Sequence, residues 1–251
     1  MSWKIPKNEP AISEIKKAGG EFKGFGLPAR LEAVASCVGI GAKIVDVGTD
    51  HGLLPIALVG SGRASQAIAA DLREQPLAMA HRNVQRFGKA DRVQLRLGDG
   101  LTVLKPFEAD TVTISGMSGR RMVEILRAVD LAELEIDRLI LQPNSDQLEM
   151  RQSLAEDGWG IVYERLVVCG SRCYVVIVLE RTDAPEGLSR PDALLGPFLK
   201  KNPGDPLFQV WCRIMADLIR TKVHGLRRGG VRPEELALAE ADLAAISEAM
   251  S

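Results

Sequence analysis

The sequence predicts an α/β fold: an open, doubly wound sheet, mostly parallel, with an antiparallel hairpin at one edge and a smaller helical unit after it. Three observations predict it. Short, β-branched apolar runs alternate with amphipathic helical stretches through the middle of the chain. Two strand-like runs then follow one another across a short glycine-containing link. From Asp192 onward only helical spacing appears.

The elements follow in order. Lys43–Val47 reads as a first strand, then a glycine turn and a helix through about Val59. Ala67–Ala70 is a second strand. The next helix has Pro76 in its first turn, Leu77, Ala80, Val84 and Phe87 on one face, and Gly88 as its stop. Val93–Leu97 and Thr111–Ile114 are the third and fourth strands, and the helix that follows turns Met122, Ile125, Leu126 and Val129 inward. Leu139–Leu141 is the fifth strand, with a helix over Gln147–Ala155. Strands separated by helices imply parallel pairing through right-handed crossovers. Ile161–Val168 and Tyr174–Leu179 have no helix between them and read as the hairpin. Thr182–Pro191 is polar, carries two prolines and reads as a linker. Beyond it, Leu207, Trp211, Ile214, Met215 and Leu218 share one helix face, and a last helix runs from Pro233 to Met250. The expected division is an N-terminal extension (1–26), an α/β domain (27–182) and a helical C-terminal domain (192–251).

Composition bounds the function. The chain has 251 residues, enough for one α/β domain and an appendage. Hydrophobic residues at 46% and charged residues at 26% exclude wholesale disorder. A net charge of −1 supplies no global positive field, so any nucleic-acid contact must come from local patches. The first residues carry no apolar signal region, and no apolar run has membrane-spanning length. A cytoplasmic location with free thiols is expected. Cys169 and Cys173 lie in a strand-like stretch with no second Cys or His pair at ligand spacing, so no metal is expected.

The strongest chemical signal ends the first strand: Val45-Asp46-Val47-Gly48-Thr49-Asp50-His51-Gly52. In such sheets ligands bind beyond the carboxyl ends of the strands. An acidic residue followed by spaced glycines suits a nucleoside cofactor, but the dinucleotide pattern Gly-x-Gly-x-x-Gly is absent. Asp50, standing where a glycine is usual, would sit badly against a pyrophosphate and tolerates a sulfonium. Asp71, with Leu72 beside it, ends the second strand, where a carboxylate accepts ribose hydroxyls. Asp99, in Leu97-Gly98-Asp99-Gly100, follows the third strand, where it accepts from an exocyclic adenine amine. The cofactor expected is S-adenosyl-L-methionine, held by Asp46, Gly48, Thr49, Asp71, Leu72, Asp99, Gly100, Ser115 and Gly116. A sheet closed by an antiparallel hairpin is the Rossmann-like arrangement of class I methyltransferases, whereas hydride-transferring relatives more often stay parallel.

On the substrate side, strand four ends in Ser115-Gly116-Met117-Ser118-Gly119 and strand five in Gln142-Pro143-Asn144. Glycines allow close approach, the helix start offers free N–H groups, and Asn144 presents both donor and acceptor. Methylation of a ring nitrogen such as adenine N1 leaves an exocyclic amine proton to remove. Asp50 or His51 is the expected acceptor, directly or through water, with Asn144 as a third catalytic candidate.

These residues resemble the bacterial tRNA (adenine(22)-N1)-methyltransferase family. The resemblance runs from Leu27 to the C-terminal helices and is carried by Leu27-Pro28-Ala29-Arg30-Leu31, Asp46-Val47-Gly48-Thr49-Asp50-His51, Gly98-Asp99-Gly100, Ser115-Gly116-Met117-Ser118-Gly119, Leu139-Ile140-Leu141-Gln142-Pro143-Asn144 and Gly196-Pro197-Phe198-Leu199. It implies methylation of adenine N1 in tRNA, tRNA binding assisted by the C-terminal helices, and a cofactor contact from Arg30. The sequence departs from the family pattern at Ser118 (usually glycine), at Arg120 and Arg121 (usually smaller or neutral), and at Gly52-Leu53, where an aromatic residue is usual.

Met117, Ser118, Gly119, Arg120, Arg121, Arg213 and Arg220 are the expected substrate contacts. Along the helix containing Leu207, Arg213, Arg220, His224 and Arg227 form one stripe, with Lys222, Arg228 and Arg232 nearby, while 233–251 is acidic. The stripe either tracks phosphates or pairs with the acidic helix. The N-terminal extension with Lys16, Lys17 and Lys23 either adds phosphate contacts or is disordered. No DNA, membrane or obligate protein partner is expected. Three other readings compete: a nicotinamide-dependent oxidoreductase, a non-catalytic RNA-binding protein that keeps the pocket, and a methyltransferase for another RNA or a small molecule.

Overall fold

The computed structural model describes residues 21–182, 187–228 and 233–250. Lys16 and Lys17 of the extension, part of the 182–191 linker, and Arg232 lie outside them.

Seven strands form one sheet in the order β3-β2-β1-β4-β5-β7-β6. β1 (Ala42–Val47), β2 (Ala64–Asp71), β3 (Val93–Leu97), β4 (Thr111–Ser115) and β5 (Arg138–Gln142) are parallel. β7 (Arg172–Arg181) runs antiparallel to β5, and β6 (Trp159–Cys169) pairs antiparallel with β7 at the edge. The expected hairpin is therefore present, its strands extended by a few residues at each end. α1 (Ala29–Cys37) precedes β1; between the strands lie α2 (Leu53–Gly60), α3 (Glu74–Arg86), α4 (Gly119–Arg127) and α5 (Gln147–Glu156), followed by α6 (Arg190–Leu195), a 3-10 turn (Leu199–Lys201), α7 (Pro206–Arg228) and α8 (Pro233–Ala249).

The central strands are apolar on both faces because helices cover both. Ile44 packs with α1 and α2, whereas Val45 and Val47 pack with α4 and β5. The apolar layer under Val45 is continuous with Phe208, Trp211 and Met215 of α7 and with Ile246 of α8. The C-terminal helices thus share the core of the sheet.

Two ion pairs lock them in place. Arg151 of α5 and Glu164 of β6 are fully buried. Arg151 donates Nε to Glu164 Oε1 at 2.8 Å and Nη1 to the Ala193 carbonyl at 2.7 Å. Glu164 Oε2 accepts the Phe198 N–H at 3.1 Å. Gly196 lies against that carboxylate with φ 97°, and a Cβ there would come within 2.6 Å of Oε2, which accounts for a glycine in Gly196-Pro197-Phe198. Arg190 makes a bidentate pair with Asp242, both contacts at 2.7 Å, joining α6 to α8. α6 begins inside the expected linker because the Ser189 hydroxyl caps it by accepting the Asp192 N–H.

Candidate active site

The strand order reverses between β1 and β4, and at the carboxyl ends of these strands a crevice of about 390 Å³ opens. Its floor is the turn after β1. Gly48 (φ 70°), Asp50 (φ 54°) and Gly52 (φ 69°) are all left-handed. The N–H groups of Gly48 and Thr49 both donate to the Ala70 carbonyl, at 2.9 and 3.0 Å, so the turn hangs from the end of β2. A Cβ on Gly48 would lie 2.3 Å from the Met117 methyl. Asp50 adopts the conformation that a glycine usually provides, which aspartate tolerates better than most residues.

Asp71 ends β2 almost fully buried, at 5% exposure. Its Oδ2 accepts the Asp50 N–H at 3.2 Å and its Oδ1 the Arg73 N–H at 3.0 Å. Each oxygen keeps a lone pair for the crevice. Leu72, Gly98, Asp99 and Gly100 continue the wall, and Ser115, Gly116 and Met117 close it from β4. The Ser115 hydroxyl oxygen is buried and lacks a hydrogen-bond partner, as expected where a polar ligand belongs. This lining of carboxylates, glycines and an unsatisfied hydroxyl fits a nucleoside with hydroxyl and amine donors.

Asp46 and Thr49 lie beneath the crevice rather than on its wall. The Thr113 hydroxyl donates to Asp46 Oδ1 at 2.8 Å from the neighbouring strand. Burial pushes the Asp46 carboxyl up to about 6, reinforced weakly by Asp71 and opposed by the Thr113 hydrogen bond and the Arg30 charge. A folded-state value above the unfolded one means that the native state binds the extra proton, so this group's contribution to stability falls as pH rises from about 4 to about 6. Asp46→Asn, which cannot ionise, escapes that loss. Relative to wild type, the variant should gain up to about 3 kcal/mol between pH 4 and pH 7 in urea unfolding, and a pH-independent difference would contradict the assignment.

Arg30 reaches the crevice from α1. Its Nη1 donates to Gln142 Oε1 at 3.0 Å, Gln142 Nε2 donates to Asn144 Oδ1 at 3.1 Å, and Asn144 Nδ2 donates to the Gly116 carbonyl at 2.8 Å. This chain ties α1, β5 and the β4 loop together. Gln142 is fully buried and was not among the expected site residues. Its signal is a lone amide closing the otherwise apolar run of β5.

The remaining candidates separate. His51 is half-exposed with Nε2 3.6 Å from Asp50 Oδ2, just outside the crevice lining. The Ser118 hydroxyl caps α4 by accepting the Arg121 N–H. Gly119 lets α4 approach α5, since a Cβ there would lie 2.5 Å from the Asp146 carbonyl. Arg120 is exposed, while Arg121 lines the crevice and pairs with Asp99 at 2.9 Å. Arg213 and Arg220 are exposed on α7, away from the crevice. Arg213 Nε donates to the Gln209 carbonyl, and Arg220 pairs with Asp217. Arg227 pairs with Glu240 of α8 at 2.7 Å, so part of the basic stripe engages the acidic helix.

The chain matches the methyltransferase-domain family over residues 27–177. It is 36% identical over 189 residues to the Bacillus subtilis tRNA (adenine(22)-N(1))-methyltransferase, covering 74% of this chain and 79% of that protein. The chain belongs to the tRNA (adenine(22)-N1)-methyltransferase family. Within the family, the crystal structure of the Bacillus subtilis m1A22 tRNA methyltransferase superposes with a TM-score of 0.80 at 28% identity, covering 90% of this chain and 100% of that one. A Streptococcus pneumoniae protein in complex with S-adenosyl-L-methionine superposes with a TM-score of 0.78 at 34% identity, covering 88% and 98%. The likeness to these family members extends beyond the sheet into the C-terminal helices.

Proposed function

We propose that the protein is an S-adenosylmethionine-dependent methyltransferase acting on N1 of an adenine in tRNA, adenine 22 by analogy with its relatives. The observation that carries this reading is the convergence of Asp50, Asp71 and Asp99, from the ends of three successive strands, on one crevice at the switch point. When bound, the cofactor supplies an electrophilic methyl group on a sulfonium.

The chain's own residues bind and orient. Asp71 accepts the ribose hydroxyls, Asp99 accepts from the adenine amine, and Arg30 pairs with the cofactor carboxylate. Gly48 and Gly116 let backbone approach the reacting centre. An adenine N1 lone pair needs alignment more than activation, and alignment supplies much of the rate. Asn144, fixed by Gln142 and Gly116, borders the place where a planar base would enter. Asp50 receives the exocyclic amine proton and His51 passes it to solvent. Tolerance of positive φ makes Asp50→Asn the appropriate test. Turnover should fall about 100-fold while affinity for S-adenosylhomocysteine changes little. Equal loss of both would remove Asp50 from the proton step.

The substrate contacts in this reading are Met117, Arg120 and the exposed arginines of α7, including Arg213 and Arg220. The free cysteines and the tRNA substrate suit the cytoplasm. Among the described residues no helix is long and apolar enough to cross a membrane. The test is transfer of labelled methyl to an unmodified tRNA transcript, with nucleoside analysis. The expected product is 1-methyladenosine, lost when adenine 22 is replaced. Methyl on another atom or nucleotide would overturn the substrate assignment.

A further inference from the structure

Opposite the β1 turn, the guanidinium of Arg121 sits in a fork. Nη2 donates to Asp99 Oδ1 at 2.9 Å and Nη1 to Glu124 Oε2 at 3.1 Å. The first turn of α4 that carries it is fixed by Ser118, whose hydroxyl accepts the Arg121 N–H at 3.2 Å. Ile125, one turn further along α4, closes over Gly100, where a Cβ would come within 2.8 Å of it. The Asp99 backbone is held as well, its carbonyl accepting the Thr102 hydroxyl at 2.7 Å. The loop is therefore anchored by packing and backbone bonds, and Arg121 holds the Asp99 carboxylate by Oδ1 on the crevice wall, leaving Oδ2 outside that pair.

We propose that Arg121 is a positioning residue for the purine end of the cofactor, fixing the Asp99 carboxylate so that it selects a 6-amino over a 6-oxo purine. This rests on the cofactor reading above. The chemistry is directional. A 6-amino purine presents an exocyclic N–H donor, whereas a 6-oxo purine presents an acceptor there and moves its donor to N1. A carboxylate held by Arg121 accepts only from the first position. A free carboxylate rotates to reach the second. An exposed ion pair contributes little by itself, with Arg121 44% and Asp99 58% exposed, so its effect lies in preorganisation.

Calorimetry with S-adenosylhomocysteine and S-inosylhomocysteine tests this on the wild type, Arg121→Met, Arg121→Lys, Asp99→Asn and the Asp99→Asn/Arg121→Met double variant. Arg121→Met should weaken the adenosyl ligand about fivefold and leave the inosyl ligand unweakened or tighter, narrowing the preference. Lysine should restore part of it, and the double variant should bind no worse than Asp99→Asn alone. An unchanged preference in Arg121→Met, or losses that add in the double variant, would overturn the role of Arg121 while leaving the cofactor reading intact. A wild type that binds neither ligand would overturn both.

Discussion

Asp71→Ala should lower affinity for S-adenosylhomocysteine by about 100-fold or more, the largest expected effect of any single change in the crevice. The carboxylate does two jobs at once. It accepts the backbone N–H groups of Asp50 and Arg73, which shape the turns on either side of the ligand, and it offers its remaining lone pairs to the ribose. Hydrogen bonds to a charged group contribute about 1.5–3 kcal/mol each, so losing the ribose contacts and loosening the Asp50 turn exceeds a hundredfold. Asp71→Asn should fall between, because an amide accepts on one side only and turns an N–H against a backbone N–H on the other. Secondary structure by circular dichroism should not change, since Ala69 and Ala70 keep β2 in register. Wild-type affinity in Asp71→Ala would show that the ligand lies elsewhere.

The second large effect concerns folding. Glu164→Leu should destabilise the protein by about 3–5 kcal/mol in urea unfolding, because it strands the fully buried Arg151 guanidinium without its counter-charge. The double variant Arg151→Met/Glu164→Leu should recover most of that loss, since a buried pair replaced by apolar side chains of similar size is often neutral. Recovery should be incomplete, because the Phe198 N–H and the Ala193 carbonyl lose their partners. A loss below about 1 kcal/mol for Glu164→Leu would mean that water reaches the site and that the junction with the C-terminal helices is looser than described.

The strands themselves, the edge hairpin and the β1 turn are legible because their causes are local, whereas the order of the strands is not. Apolar runs of strand length with glycine at the exits produce parallel strands with ligand-facing turns, and Asp71 and Asp99 follow from position alone. Helix α1 is absent from the elements read by spacing, and Arg30 follows from the resemblance rather than from spacing. The Arg151–Glu164 pair was invisible. An arginine in a helix and a glutamate in an edge strand read as solvated until the 3-10 turn covers them. Arg121 reads in the sequence as a substrate contact, and its pairing with Asp99 depends on how closely α4 packs over Gly100. Similarly, the stripe on α7 shows its charge in the sequence, but only the packing of α8 reveals that Arg227 is engaged by Glu240.

Titration calorimetry of the wild-type protein decides whether the crevice beyond β1, β2 and β4 binds a methyl donor. Saturable, one-to-one binding of S-adenosylhomocysteine, with no heat from NADH, is the result expected. Binding of NADH in its place, or no binding of S-adenosylhomocysteine or S-adenosylmethionine, would contradict the account.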